Sequence, residues 1–240
     1  MRLADGVRVA ITDRTGGVSA PPYEGRNLGG KGDDPEAVRE NRARTAAELG
    51  VAPDHVVYMR QVHSATAAYV TAPFGPDAPP LDAVYTDRPG LALGALSADC
   101  ATVFVADPDA GLIGAAHSGR PGTQAGVVPA LVAAMSARGA TPSRMVALVG
   151  PAACGRCYEV PAEMRAEVAA AVPETWATTR TGTPAVDIRA GITAQLTRAG
   201  VRNVRHDDRC TIESPELYSY RRNRPTGRFA GYIWLETGET

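Results

Sequence analysis

Short apolar runs bounded by Gly, Pro and Asp recur along this chain and read as buried strands rather than helices. The clearest are residues 91–96, 102–106 and 112–116, with weaker strand patterns at 7–12, 56–59, 67–70, 83–86, 144–149 and 229–235. Helical patterns lie between them. Residues 35–49 have Asp34 as N-cap, Pro35 at the first helical position, Glu36 in the first turn and Gly50 just past the end. A second helix is expected over 123–137, after a turn at Gly119-Arg120-Pro121-Gly122 and before Gly139, with Val127, Val128, Leu131, Val132 and Met135 at core spacing. Two more are expected over 161–171 and over 188–199, the latter capped by Asp187 and closed by Gly200. Residues 14–34 are too rich in Gly and Pro for regular structure and read as a long loop of the kind that carries function. Residues 73–80 read as a turn-rich connection, and 229–235, with Tyr232 and Trp234, as a last strand that closes the sheet on the core.

Interspersed strands and helices predict an α/β fold. No shift in composition, repeat or linker divides the 240 residues, so a single domain over 1–240 is expected. Lys plus Arg (25) balance Asp plus Glu (26), which leaves no global field to recruit nucleic acid or an anionic membrane. The N-terminus lacks the apolar core of a signal peptide and no run is long enough to span a bilayer, so a cytoplasmic protein is expected. In that compartment Cys100, Cys154, Cys157 and Cys210 are reduced and available for metal or thiol chemistry.

Cys100 follows one apolar run, His117 ends another, and His63 lies just past the strand pattern at 56–59, while His55 and His206 have polar, exposed surroundings. Two imidazoles and one thiolate suit Zn2+ and leave a fourth position open, the composition of a catalytic zinc site. A thiol reading competes, with Cys100 as nucleophile, His117 as base and Asp99 or Asn27 as orienter. A noncatalytic binding module stands behind both. No Gly-x-Ser-x-Gly elbow supports a serine triad. Gly29-Gly30-Lys31-Gly32 lacks P-loop spacing but could turn backbone N–H groups toward an anion. The Cys154-x-x-Cys157 pair reads as incidental, because a structural zinc needs a second ligand pair and only Cys210 remains.

Motifs spread over the whole chain carry a resemblance. They include Arg14-Thr15-Gly16-Gly17-Val18-Ser19, Asn27-Leu28-Gly29, Gly32-Asp33-Asp34-Pro35, Asn41-Arg42-Ala43-Arg44, Gln61-Val62-His63 and Ala98-Asp99-Cys100. They continue through Gly114-Ala115-Ala116-His117, Gly150-Pro151-Ala152, Cys157-Tyr158-Glu159-Val160, Cys210-Thr211 and Ser219-Tyr220-Arg221-Arg222. In these the chain resembles the YfiH family, also called the laccase-domain or polyphenol oxidase family, whose bacterial members are viewed as purine nucleoside phosphorylases. The resemblance implies a layered sandwich of mixed β-sheets flanked by helices and a zinc site made of His63, Cys100 and His117.

It also implies phosphorolysis of adenosine, inosine, guanosine and methylthioadenosine to free base and ribose 1-phosphate or its methylthio analogue, with adenosine deamination alongside. The partners expected are therefore a purine nucleoside and phosphate, with no nucleic acid or membrane and a monomer as the simplest state. Asn27, Arg42, Arg44 and Arg120 are the candidate substrate-binding residues, with Arg42, Arg44 or the backbone of 29–32 holding phosphate. Cys100, His117 and Asp99 are the candidate catalytic residues, Asp99 to bind or protonate the base. The chain departs from the family where His117-Ser118-Gly119-Arg120-Pro121-Gly122 replaces the common His-Ala-Gly-Trp-Arg-Gly, and where Lys31 replaces a histidine in a loop one residue shorter. Cys154 stands where the family usually has glycine. Multicopper oxidases use paired His-x-His motifs; four histidines without such a pair argue against oxidase chemistry here.

Overall fold

The apolar runs are continuous because both faces of their strands are covered. In the computed structural model, which describes residues 1–75 and 77–237, the elements in chain order are β1 (Arg2–Ala4), β2 (Val7–Ile11), α1 (Pro35–Glu48), β3 (Val56–Tyr58), β4 (Ala67–Tyr69), β5 (Ala83–Thr86), β6 (Ala92–Ser97), β7 (Ala101–Asp107) and β8 (Leu112–Ser118). They continue with α2 (Arg120–Ala125), α3 (Val127–Ala137), β9 (Val146–Val149), α4 (Ala162–Ala171), β10 (Trp176–Thr178), β11 (Pro184–Val186), α5 (Ile188–Arg198), β12 (Asn203–His206) and β13 (Phe229–Leu235). One mixed sheet has the order β1-β2-β13-β6-β3, the other β12-β9-β7-β8-β5-β4, and β10 and β11 form a separate hairpin.

Along β7 the side chains alternate between two cores. Phe104 and Ala106 pack with Val9, Leu93 and Ile233 of the facing sheet, whereas Val103 and Val105 pack with Leu131, Val132 and Met135 of α3 and Ile192 of α5. A third cluster joins Ala46 of α1 to Val56, Ala92 and Tyr232 on the outer face of the first sheet. The architecture is thus α/β/β/α, the α/β class expected from the pattern and the layered sandwich of mixed sheets that the resemblance implies.

Several boundaries differ from the sequence reading for identifiable reasons. The strand expected at 112–116 extends through Ser118, because His117 and Ser118 pair with Thr102 and Ala101 of β7, so His117 lies inside a strand. The helix expected over 123–137 is two helices: the chain turns left-handed at Gly126 (φ 81°), and the expected turn at 119–122 supplies the start of α2. The last strand is buried against the core as expected, and it lies in the middle of its sheet, between β2 and β6. Residues 14–34 are irregular as expected, held by Asn41 of α1, whose amide donates to Ser19 Oγ (2.9 Å) and the Asn27 carbonyl (3.0 Å) and accepts from Val18 N (2.8 Å). In the turn-rich connection over 73–80, Pro76 lies outside the described residues.

Asp107 ends β7 with its side chain fully buried and accepts from Arg144 Nη2 (2.8 Å) and Thr141 N (2.7 Å). Burial pushes its carboxyl up, but these donors outweigh it and hold it below the ordinary carboxylate value. A depressed folded value stabilises above the unfolded value and is lost as pH falls through the folded one. Arg144→Met is therefore expected to lower the urea midpoint at neutral pH, because it leaves the buried Asp107 carboxylate without its charged partner. The gap between variant and wild type in urea unfolding should narrow below pH about 4.

Candidate metal and active site

Three strands end where the two sheets meet, and each brings one side chain to the same point. β3 and β6 are parallel neighbours in the first sheet, so their C-terminal ends lie together. The chain leaves β3 toward His63, and it leaves β6 through the turn Ala98-Asp99-Cys100 to enter β7 in the other sheet. His117 faces that turn from β8. The ligand atoms of His63, Cys100 and His117 lie within 4.8 Å of one another, and the two imidazole rings are 4.8 Å apart. Sequence spacing could not bring these residues together; the crossing between sheets does.

The two non-glycine residues recorded with positive φ both stand here, His63 (62°) and Asp99 (100°). Such conformations cost free energy unless the surroundings impose them, and both are tied down. Asp82 Oδ2 accepts from Val62 N (3.1 Å) and Ser64 N (2.6 Å), the amides on either side of His63. Asp99 accepts from Thr211 Oγ1 (2.6 Å) and from Arg221 N (2.7 Å), which turns the chain so that Cys100 points inward. Gln61 locks the His63 loop to β6 by exchanging bonds with Leu96 N (2.8 Å) and O (2.9 Å).

Asp82 is the residue that sequence reading missed. It is fully buried, and its Oδ1 lies 2.9 Å from His117 Nδ1, which directs the other ring nitrogen to the cluster, the usual second partner of a metal-binding histidine. Burial pushes the Asp82 carboxyl up, but His117 and the Ser64 and Val62 amides bring it down to about 2. Burial also disfavours a charged His117, yet the charge of Cys100 and the bond to Asp82 outweigh it and raise the imidazole to about 9. His63 moves the other way: partial burial, then the neighbouring His117, lowers its value and keeps the ring neutral as a ligand must be. The visible signal for Asp82 was an acid just before the strand pattern at 83–86.

Gly119 packs its backbone directly against two of the candidate ligands. A Cβ there would come within 2.5 Å of Cys100 Sγ and 2.9 Å of His63 Nδ1, although the backbone (φ -85°) would accept alanine. Two imidazoles, one thiol and an oriented second nitrogen form a donor set that fits a borderline divalent ion. Gly119→Ala is expected to lower the metal content of the purified protein at least about tenfold, in line with other losses around a metal site, with circular dichroism unchanged.

A cavity of about 720 Å³ opens in front of the cluster, with Lys31, Arg228, Tyr220 and Gly29–Gly32 among its walls. Of the candidate substrate residues, Asn27 lines it, but its side chain is fully engaged with Gly29 N (3.0 Å), Gly29 O (2.9 Å), Asp33 Oδ2 (2.8 Å) and Arg228 N (2.7 Å) and shapes the wall. Arg120 opens α2, with its charge felt at His63. Arg42 is turned away, donating to the Leu28 carbonyl and stacking 4.0 Å from the Tyr58 ring centre, and Arg44 pairs with Glu40 on the exposed face of α1. Neither lines the cavity. Asp99 does not line the cavity either; it positions Cys100 instead of reaching a base. Nor is Asp99 or Asn27 the partner of His117, a place Asp82 fills. Two cations line the cavity: Lys31, inside the loop read as a possible anion cradle, and Arg228, not assigned from sequence, whose Nη1 donates to the Thr226 (3.0 Å) and Gly227 (2.9 Å) carbonyls.

These features define an α/β protein of two packed sheets with a Cys/His2 centre at their junction. A family profile described as "Multi-copper polyphenol oxidoreductase laccase" matches residues 8–236, and the chain belongs to this laccase-domain family. It is 60% identical to a Streptomyces griseus protein named purine nucleoside phosphorylase ORF3, over 95% of this chain and 94% of that one. It is 35% identical to the Shigella flexneri purine nucleoside phosphorylase YfiH, over 97% and 96%. The crystal structure of YlmD from Geobacillus stearothermophilus superposes with a TM-score of 0.90 at 32% identity, covering 97% of this chain and 93% of that one.

Proposed function

We propose that this chain is a purine nucleoside phosphorylase whose centre is a zinc ion held by His63, Cys100 and His117. The observation that carries the reading is the cavity itself, which opposes the Cys/His2 cluster to two cations and an exposed aromatic ring; relatives named for this activity along nearly the whole chain support it. Substrates are adenosine, inosine, guanosine and methylthioadenosine. Phosphorolysis breaks the C1′–N9 bond and forms a C1′–O bond to phosphate; the bond's electron pair leaves with the purine, which must be protonated. Lys31 and Arg228, with the backbone of Gly29–Gly32, hold phosphate against the cationic sugar carbon that develops, where fixed charge is worth most. Tyr220, partly exposed at the cavity wall with Arg224 lying over its ring (4.3 Å), supplies aromatic surface beside which a purine can pack.

Held by His63, Cys100 and His117, a zinc ion would supply Lewis acidity and activate water, the chemistry that adenosine deamination needs. His117 is held by Asp82 in the orientation that ligation requires, and Asp99 fixes the Cys100 turn. The protein acts in the cytoplasm. The donor set fits polyphenol oxidation poorly, since His55 and His206 are exposed and lie outside the cluster, leaving two histidines for metal.

One observation favours a second reading: Cys100, His117 and Asp82 line up as thiol, imidazole and carboxylate, the order of a thiol hydrolase or deamidase. The test is chromatographic release of adenine or hypoxanthine from the nucleosides. Release that requires phosphate supports phosphorolysis; neither base with phosphate nor inosine from adenosine without it overturns the enzyme reading.

A further inference from the structure

Three of the four cysteines meet on the far side of the Asp99 turn. Cys154 and Cys157 belong to the segment that follows β9, Cys210 and Glu213 to the segment that follows β12, and one ligand atom from each lies within 4.8 Å of the other three. Both segments make the same local shape. The amide of Cys157 donates to the Cys154 carbonyl (2.8 Å), and that of Glu213 to the Cys210 carbonyl (3.0 Å), so each turn brings residues i and i+3 to one side. The two turns are docked on each other: Thr211 N donates to the Ala152 carbonyl (3.2 Å), and Cys154 N donates to Cys210 Sγ (3.3 Å). Two i, i+3 ligand turns facing one another form the common frame of a closed tetrahedral metal site.

We propose that Cys154, Cys157, Cys210 and Glu213 bind a second, structural zinc ion. Three thiolates and one carboxylate complete four-coordination and leave no open position. In a tetrahedron with Zn–S bonds of about 2.3 Å the sulfurs stand about 3.8 Å apart, so the observed spacing needs only a small contraction around one ion. Arg180, from the loop joining β10 to β11, donates to Cys157 Sγ (3.0 Å) and pairs with Glu213. It orients two of the ligands and offsets the net negative charge that three thiolates and a carboxylate place on the ion, the role of an outer-shell partner. Cys154 and Cys210 are buried and Glu213 is partly exposed, so the site is closed inward and reachable from solvent.

The clip joins the supports of the first centre. Ala153, beside Cys154, donates its amide to the Asp99 carbonyl (2.9 Å), and Thr211, beside Cys210, donates its hydroxyl to the Asp99 carboxylate. An ion between the two turns holds both of those contacts and with them the turn that presents Cys100.

Zinc content per chain tests this without reference to activity. In a His63→Ala/Cys100→Ala protein, which lacks the first centre, one zinc ion per chain is expected to survive dialysis, and Tm is expected to rise when Zn2+ is added to the metal-free form. Introducing Glu213→Gln or Cys157→Ser, both at partly exposed positions, is expected to lower zinc retention at least tenfold and to remove the Tm response. Co2+ in the same background should give the thiolate charge-transfer absorption of a three-sulfur site. A His63→Ala/Cys100→Ala protein that holds no zinc and shows no such absorption overturns the proposal. So does zinc retained in full after Cys157 and Cys210 are both replaced by serine.

Discussion

Replacing His63 by alanine is expected to lower phosphate-dependent release of purine base by about 10²- to 10⁴-fold and to remove metal from the first centre. The range corresponds to the several kcal/mol of charge stabilisation that a bound metal supplies, about 1.4 kcal/mol for each factor of ten. His63 is the discriminating position because it belongs to the metal reading alone. It is exposed on a loop, so its loss leaves the cores intact, and it takes no part in the Cys100–His117–Asp82 line. A thiol enzyme would keep its nucleophile, base and orienter in the variant and lose little; activity within about threefold of wild type would sink the zinc reading and favour the thiol one. Cys100→Ser serves as the control, because it damages both. The metal reading further expects activity of metal-stripped wild type to return on adding Zn2+, whereas no added ion restores His63→Ala.

How much of this was legible in sequence follows from which signals are local. Caps and breakers are local, so α1 and α5 were placed nearly to the residue by Asp34 and Asp187, both of which do accept from backbone amides of their helices. Continuous apolar runs gave β6, β7 and β8, and their burial on both faces explains why no alternation was visible. The three donors of the first centre stood out because histidine and cysteine are rare here and each stood at or just past the end of an apolar run. What stayed hidden is what strand order decides. Asp82 meets His117 because β5 pairs with β8, and an acid beside an apolar run says nothing about its partner. Arg42 and Arg44 looked like anion ligands from their place after a Gly-rich loop, but only the packing of that loop against α1 shows them facing elsewhere. Cys154 and Cys157 looked incidental for lack of a second pair; the parallel pairing of β12 with β9 brings Cys210 and Glu213 alongside them, and a glutamate is a ligand that cysteine counting overlooks.

Asp82→Asn should weaken metal binding at the first centre by about 10- to 100-fold, the usual effect of removing a carboxylate behind a metal-bound histidine. The argument turns on the proton. Ionised Asp82 accepts from Nδ1–H of His117, leaving the other nitrogen free to ligate; an amide can instead donate to Nδ1 and stabilise the opposite tautomer, which presents N–H where the ion should be. The same pair sets a pH window in metal-free protein. His117 is raised to about 9, so its stabilisation is complete below the unfolded value near 6.5 and is lost as pH rises through about 9; Asp82 is depressed to about 2, so its share is complete above the ordinary carboxylate range and is lost as pH falls toward 2. Wild type should therefore exceed Asp82→Asn most between about pH 4 and 6.5 in urea unfolding of the metal-free form, with the difference shrinking on both sides. Metal binding runs opposite on the alkaline side, since ligation must displace the His117 proton. Zinc affinity of wild type should climb toward pH about 9, roughly tenfold per unit from this proton. In Asp82→Asn that dependence should flatten from a lower pH, because an imidazole without its carboxylate releases the proton sooner. An NMR titration of His117 that is unmoved by the substitution would show that Asp82 does not govern the ligand.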